Sequence, residues 1–64
     1  MIVTFRVNSH SDMAVASLEA LKMGIEFTPY SDNTFDVSIK DDWKLDYFHS
    51  KVGHSEIIAR QIGG

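Results

Sequence analysis

Three histidines, His10, His49 and His54, are the side chains of this 64-residue sequence that could hold a transition metal through a neutral nitrogen, and no cysteine is present to add a thiolate. Zinc takes three or four N, S or O donors brought together in space. His49 and His54 stand five positions apart, which separates them around a helix, and His10 falls in a different segment. No metal site is expected. Ser9, His10, Ser11 and Asp12 offer the residue types of a hydrolytic triad, but neighbours on one short loop rarely align a nucleophile, a base and an orienting acid. They read instead as a turn and a helix start. The expectation is a non-enzyme with no catalytic residue and no cofactor.

A second cluster joins charge to aromatic surface. Asp41, Asp42 and Asp46 gather where a helix is expected to begin, and the positive end of the helix dipole favours carboxylates there. Trp43 and Tyr47 lie among them, and large amphipathic aromatics anchor protein interfaces while nearby rim charges tune encounter. These five residues are the candidate partner-binding surface. The competing role for Trp43 is to pack over the core.

The overall charge narrows the partners. Nine acidic against six basic residues leave a net charge of −3, and the basic ones (Arg6, Lys22, Lys40, Lys44, Lys51, Arg60) are scattered. Nucleic-acid affinity draws mostly on clustered Lys and Arg, so a nucleic-acid partner is not expected. RNA-recognition domains place paired aromatics on the open face of their middle strands, where Thr4, Arg6, Asp36 and Ser38 would stand here. No apolar run approaches the roughly 20 residues of a membrane span. No leader peptide is visible ahead of the first strand, and the absence of cysteine leaves the cytoplasm as the default location.

The elements that must position these residues follow from periodicity. Ile2 to Val7 alternates, with Val3, Phe5 and Val7 on one side. Ser9, with Asp12 three residues on, predicts a capped helix over Met13 to Met23 with an apolar stripe of Ala14, Val15, Leu18 and Leu21. Gly24 stands where a left-handed C-cap belongs, and Ile25 to Tyr30 and Thr34 to Lys40 alternate around a Ser-Asp-Asn turn as a hairpin. Pro29 lacks an amide donor, which sends its strand to a sheet edge. A second helix begins at Asp41 or Asp42, carries Leu45, Phe48 and Val52 on one stripe with Trp43 and Tyr47 beside it, and ends near Gly53. Residues 55–62 fit either a Ser-capped helix or a β-branched strand, and a single long helix through Gly53 is a third arrangement; the helix is taken.

The fold class expected is therefore α+β. It is a single 1–64 domain, a two-layer βαββα with a three-stranded antiparallel or mixed sheet in the order 1-3-2, helices on one face and a short C-terminal helix. The expected core is Val3, Phe5, Val7, Leu18, Leu21, Phe27, Phe35, Val37, Ile39 and Phe48. In that arrangement Ile2–Val7 is an open edge, and pairing of this edge between copies predicts a homodimer.

If residues 55–62 instead form a strand beside the first, the chain resembles a minimal ferredoxin-like βαββαβ domain, a group that includes ACT-type regulatory domains and metallochaperones. Metallochaperones of this shape carry Cys-x-x-Cys in the first loop, which here reads Asn8-Ser9-His10-Ser11, so that activity is excluded. The ACT resemblance implies a dimeric small-ligand sensor, although the glycine usual in the same loop is missing. The terminal Gly63-Gly64 is similar to the end of ubiquitin-like carriers, whose first hairpin this chain lacks. A folded domain this short, acidic and without a catalytic set is expected to act by covering another protein's surface. It reads as a small regulator or inhibitor of the kind a phage or mobile element encodes.

Overall fold

A computed structural model describes residues 1–61. Six elements follow in chain order: β1 (Ile2–Val7), α1 (His10–Met23), β2 (Glu26–Pro29), β3 (Thr34–Ser38), α2 (Asp42–Lys51) and β4 (Ser55–Gln61). The strands make one antiparallel sheet in the order β2-β3-β1-β4. Both helices supply core residues to one face of it, and the class is α+β in two layers.

The sheet has four strands where three were expected, and residues 55–61 form β4, neither a C-terminal helix nor part of a long one. Two terms outweigh the helix signals. Pairing with β4 satisfies the outer row of β1 amides and carbonyls, and it lays Ile57 against the core. Ser55 does not cap a helix; its hydroxyl donates to the Val52 carbonyl at 2.6 Å and fixes the turn into β4. The same pairing makes β1 an interior strand, so the open edge that motivated a strand-paired homodimer does not exist.

Local chemistry sets the ends of the elements. Ser9 is extended (φ −151°), and its hydroxyl accepts from the Asp12 amide at 3.2 Å while donating to the Asp12 carboxylate at 3.0 Å. At the far end Gly24 is left-handed (φ 67°); its amide donates to the Leu21 carbonyl, and the Ile25 amide donates to Ala20 at 2.9 Å. This is the Schellman closure, and it feeds buried Ile25 straight into β2. β2 is an edge strand ending at Pro29, as its missing amide requires. Helix α2 stops before Gly53, and it is His54 that takes the positive φ, 57°.

Four phenylalanines fill the space between the layers. Phe5 and Phe35 face each other across the β1–β3 ladder and stack at 5.4 Å. Phe48 of α2 stands edge-on to both, at 5.4 and 6.1 Å, and Phe27 lies 4.8 Å from Phe35. Val3, Val7, Val37, Ile39, Leu45 and Val52 close the cluster. Two of the expected core residues are elsewhere: Leu18 and Leu21 of α1 face water, and Ala16 and Ala20 are buried in their place, with Met13 and Met23 packed beside them. The rings leave room only for methyl groups at the closest approach of α1.

Truncating a buried Phe costs about 3–5 kcal/mol, whereas exposed positions usually move stability by no more than about 0.5 kcal/mol. Phe35→Ala is therefore expected to abolish the cooperative urea transition of so small a domain, and Leu21→Ala, at low micromolar protein, to leave its midpoint in place. A Phe35→Ala protein that unfolds at the wild-type midpoint would contradict this core.

Candidate functional site

Helix α2 is divided by its own packing. Leu45 and Phe48, with Val52 just beyond the helix, are buried, so the residues between them must point outward. Trp43 and Tyr47, one turn apart, are 65% and 46% exposed; neither belongs to the core. Trp43 is thus not spent on covering the core. Lys44 Nζ sits 5.7 Å from the Trp43 ring centre and Lys51 Nζ 5.2 Å from that of Tyr47, so each ring is flanked by a cation. Asp41, Asp42 and Asp46 are exposed on the same helix or at its start. Asp41 is the N-cap residue, yet its side chain makes no capping bond and only its carbonyl accepts, from Lys44 and Leu45 at 3.1 and 3.2 Å. All five residues of the candidate surface therefore lie on one element, with their aromatic rings accessible.

The other chemical candidates are placed apart. Among the described residues no three His, Asp or Glu side chains are grouped to hold a metal. His49 Nε2 lies 3.2 Å from the Ser55 carbonyl, and its ring is edge-on to Phe5 at 5.3 Å, so it joins α2 to β4. Ser9 and Asp12 bond to each other as a helix cap. Every buried side chain among the described residues is apolar, so none offers a desolvated acid or base. An open cleft of about 360 Å³ where α1 ends and α2 begins is bordered by Glu26, Ser38, Lys40 and Lys44, all reached by water. Among the described residues no helix is long and apolar enough to cross a membrane. Gly63 and Gly64, on which the carrier resemblance rests, lie outside the described residues.

The open face of the sheet carries exposed Ile2 beside polar residues that pair with one another. Arg6 reaches Glu56 across β1–β4 at 2.7 Å, and the Thr4 hydroxyl donates to Asp36 across β1–β3 at 2.5 Å. Asp36 also acts on the Tyr30 hydroxyl through side-chain hydrogen bonding. That hydrogen bond, and then the nearby negative charge, raise the Tyr30 pKa above its usual value. The Arg6–Glu56 pair brings opposite charges together, and the Asp36 carboxylate is hydrogen-bonded to Thr4.

A further surface escaped the sequence reading. On α1, Val15, Leu18 and Leu21 are exposed, Leu21 to 77%. The signal was present in Met13, Ala16, Ala20 and Met23, a second stripe of helical period that competes with the first, but the larger side chains carried the reading.

Comparison of the chain with protein-family models, curated proteins and solved structures gives no match in any of the three.

The raised Tyr30 pKa has a definite sign for stability. The bonded, neutral phenol stabilises the fold fully below the unfolded tyrosine pKa, and that contribution is lost as pH rises through the higher folded value. Asp36→Asn should lower the pH at which Tyr30 ionises, read by ultraviolet titration in a Tyr47→Phe background. An unshifted midpoint would show that the phenol does not meet Asp36.

Proposed function

We propose that this chain is a small non-enzymatic regulator or inhibitor that acts by masking a surface of a partner protein, with Asp41, Asp42, Trp43, Asp46 and Tyr47 of α2 as its contact. The observation that carries the reading is the outward pair Trp43 and Tyr47: two large aromatics one turn apart, both accessible and neither used by the core. A small domain exposing such a pair loses nothing of its core when they are desolvated by a partner, which is the condition for an interface anchor. The helix beneath them is held rigidly by Leu45 and Phe48, so little ordering is required on docking. The acidic residues around the pair would form the rim and favour a basic approach surface. A phage or mobile-element origin and a cytoplasmic site of action fit this role and belong to the same proposal.

Anchors and rim should separate on mutation. With a partner captured from the native host and purified, Trp43→Ala is expected to accelerate dissociation, with a loss of at least about 2 kcal/mol in binding. Asp42→Lys is expected to slow association and flatten its salt dependence, with little change in the dissociation rate. Both variants are expected to keep the wild-type fold by circular dichroism, since both residues are exposed. If surface plasmon resonance gives unchanged rates for both, the contact is not on α2.

A further inference from the structure

We infer that the outer face of α1 is a self-association surface, on which two copies pair their α1 helices antiparallel about a two-fold axis passing beside Leu18. The inference is independent of the α2 reading, because it uses the other helix.

It begins with what α1 leaves in water. Met13, Ala16, Ala20 and Met23 occupy the side that meets the sheet. Leu18 stands opposite the middle of that side, and Ala14, Val15 and Leu21 lie three or four positions from it; all four are exposed. A two-fold axis crossing the pair at right angles keeps each flank of the helix on the same flank of its partner while reversing its direction. Leu18 then meets Leu18 at the axis. On one flank Leu21 of one copy lies over Ala14 of the other, so the most exposed large side chain is received by a small one. Exposed Ser17, beside that contact, adds no bulk.

Charge on the second flank points to the same occupant. The apolar stripe contains no ionisable residue, so it has nothing with which to select a charged partner. Lys22 borders it, exposed and paired with Glu19 at 3.8 Å. In the antiparallel pair its stem runs along Val15 of the other copy, and its ammonium comes within reach of Asp12 in that copy's first turn. The axis makes this contact twice, with the two Lys22 side chains at opposite ends, and the antiparallel helix dipoles attract. Joining copies through the sheet is less favourable. One edge, β2, ends at Pro29; the other, β4, is kinked where Thr4 pairs with Ala59 and Phe5 with Ile57, leaving Ile58 without a partner. A single helix stripe is smaller than the standard interface of about 800 Å² per partner, so the dimer should be weak and reversible.

The lack of cysteine in the chain makes a geometric test clean. Ala14→Cys and Leu21→Cys proteins are prepared separately, then oxidised alone and as an equal mixture. The pairing expects the mixed disulfide between A14C and L21C chains in clear excess over either self-disulfide. At a rise of about 1.5 Å per residue, the two copies of residue 14 lie about 12 Å apart along the helix axes and those of residue 21 about 9 Å apart. Predominant self-disulfides would overturn the antiparallel register. Sedimentation equilibrium of the cysteine-free protein from micromolar to millimolar should show a reversible dimer, and Leu21→Lys should weaken it by at least about tenfold. Its fold should be retained, since Leu21 is outside the core. A protein that stays monomeric throughout, or a Leu21→Lys variant that dimerises as before, would reject the surface.

Discussion

Everything else in this molecule is arranged around the contact of Phe5, Phe35 and Phe48. A domain of this size buries only about 60% of the surface of its unfolded chain, so few residues can be spared from the core. Aromatic pairs in stacked or edge-on geometry add roughly 0.5–1.5 kcal/mol each beyond the area they bury. The three rings come from β1 and from the consecutive elements β3 and α2, far along the chain from it, and their mutual packing joins the two layers. With that volume occupied, α1 buries Ala16 and Ala20 at its middle and packs the flexible Met13 and Met23 at the two ends. The small residues inside α1 and the leucines outside it are two results of one volume constraint.

That constraint explains what could be read from the sequence. Strict alternation placed Phe5, Phe35 and Val37 on the buried face, because a strand offers only two sides and the apolar one goes inward. Pro29 marked an edge and Gly24 a helix end because each is a local property of the backbone. Helix α1 was different. Its two stripes both have apolar character, and the choice between them depends on how much room the rings leave, which no local pattern encodes. The tail was similar: Ser55 and Glu56 look like a helix start, and only the unsatisfied side of β1 decides for a strand.

The surfaces divide along the same line. On α2 the inward stripe of Leu45, Phe48 and Val52 was legible from spacing, but spacing left open whether Trp43 beside it packs over the core, and its exposure decides that. On α1 the outward stripe was hidden because it looked like a core. Large apolar side chains on both helices therefore face away from the sheet, while the opposite face of the sheet carries the Arg6–Glu56 and Thr4–Asp36 pairs beside the exposed Ile2 of β1. The exposed aromatic and aliphatic side chains of the helices and the Arg6–Glu56 pair of the sheet thus lie on opposite sides of the molecule.

The register of β1 against β4 has a mechanical meaning. The two strands run antiparallel with Ile2 opposite Gln61, so the two ends of the described chain emerge side by side at the same end of the ladder. Tension drawn between those ends falls on one inter-strand pair at a time, since antiparallel hydrogen bonds lie across the strands. The ladder would part like a zipper instead of resisting in shear. Once β4 is peeled away, Ile57 leaves the core and β1 regains a bare flank. Force applied through the β4 end would therefore peel an edge strand held by one ladder, whatever stability the aromatic cluster gives against heat or urea.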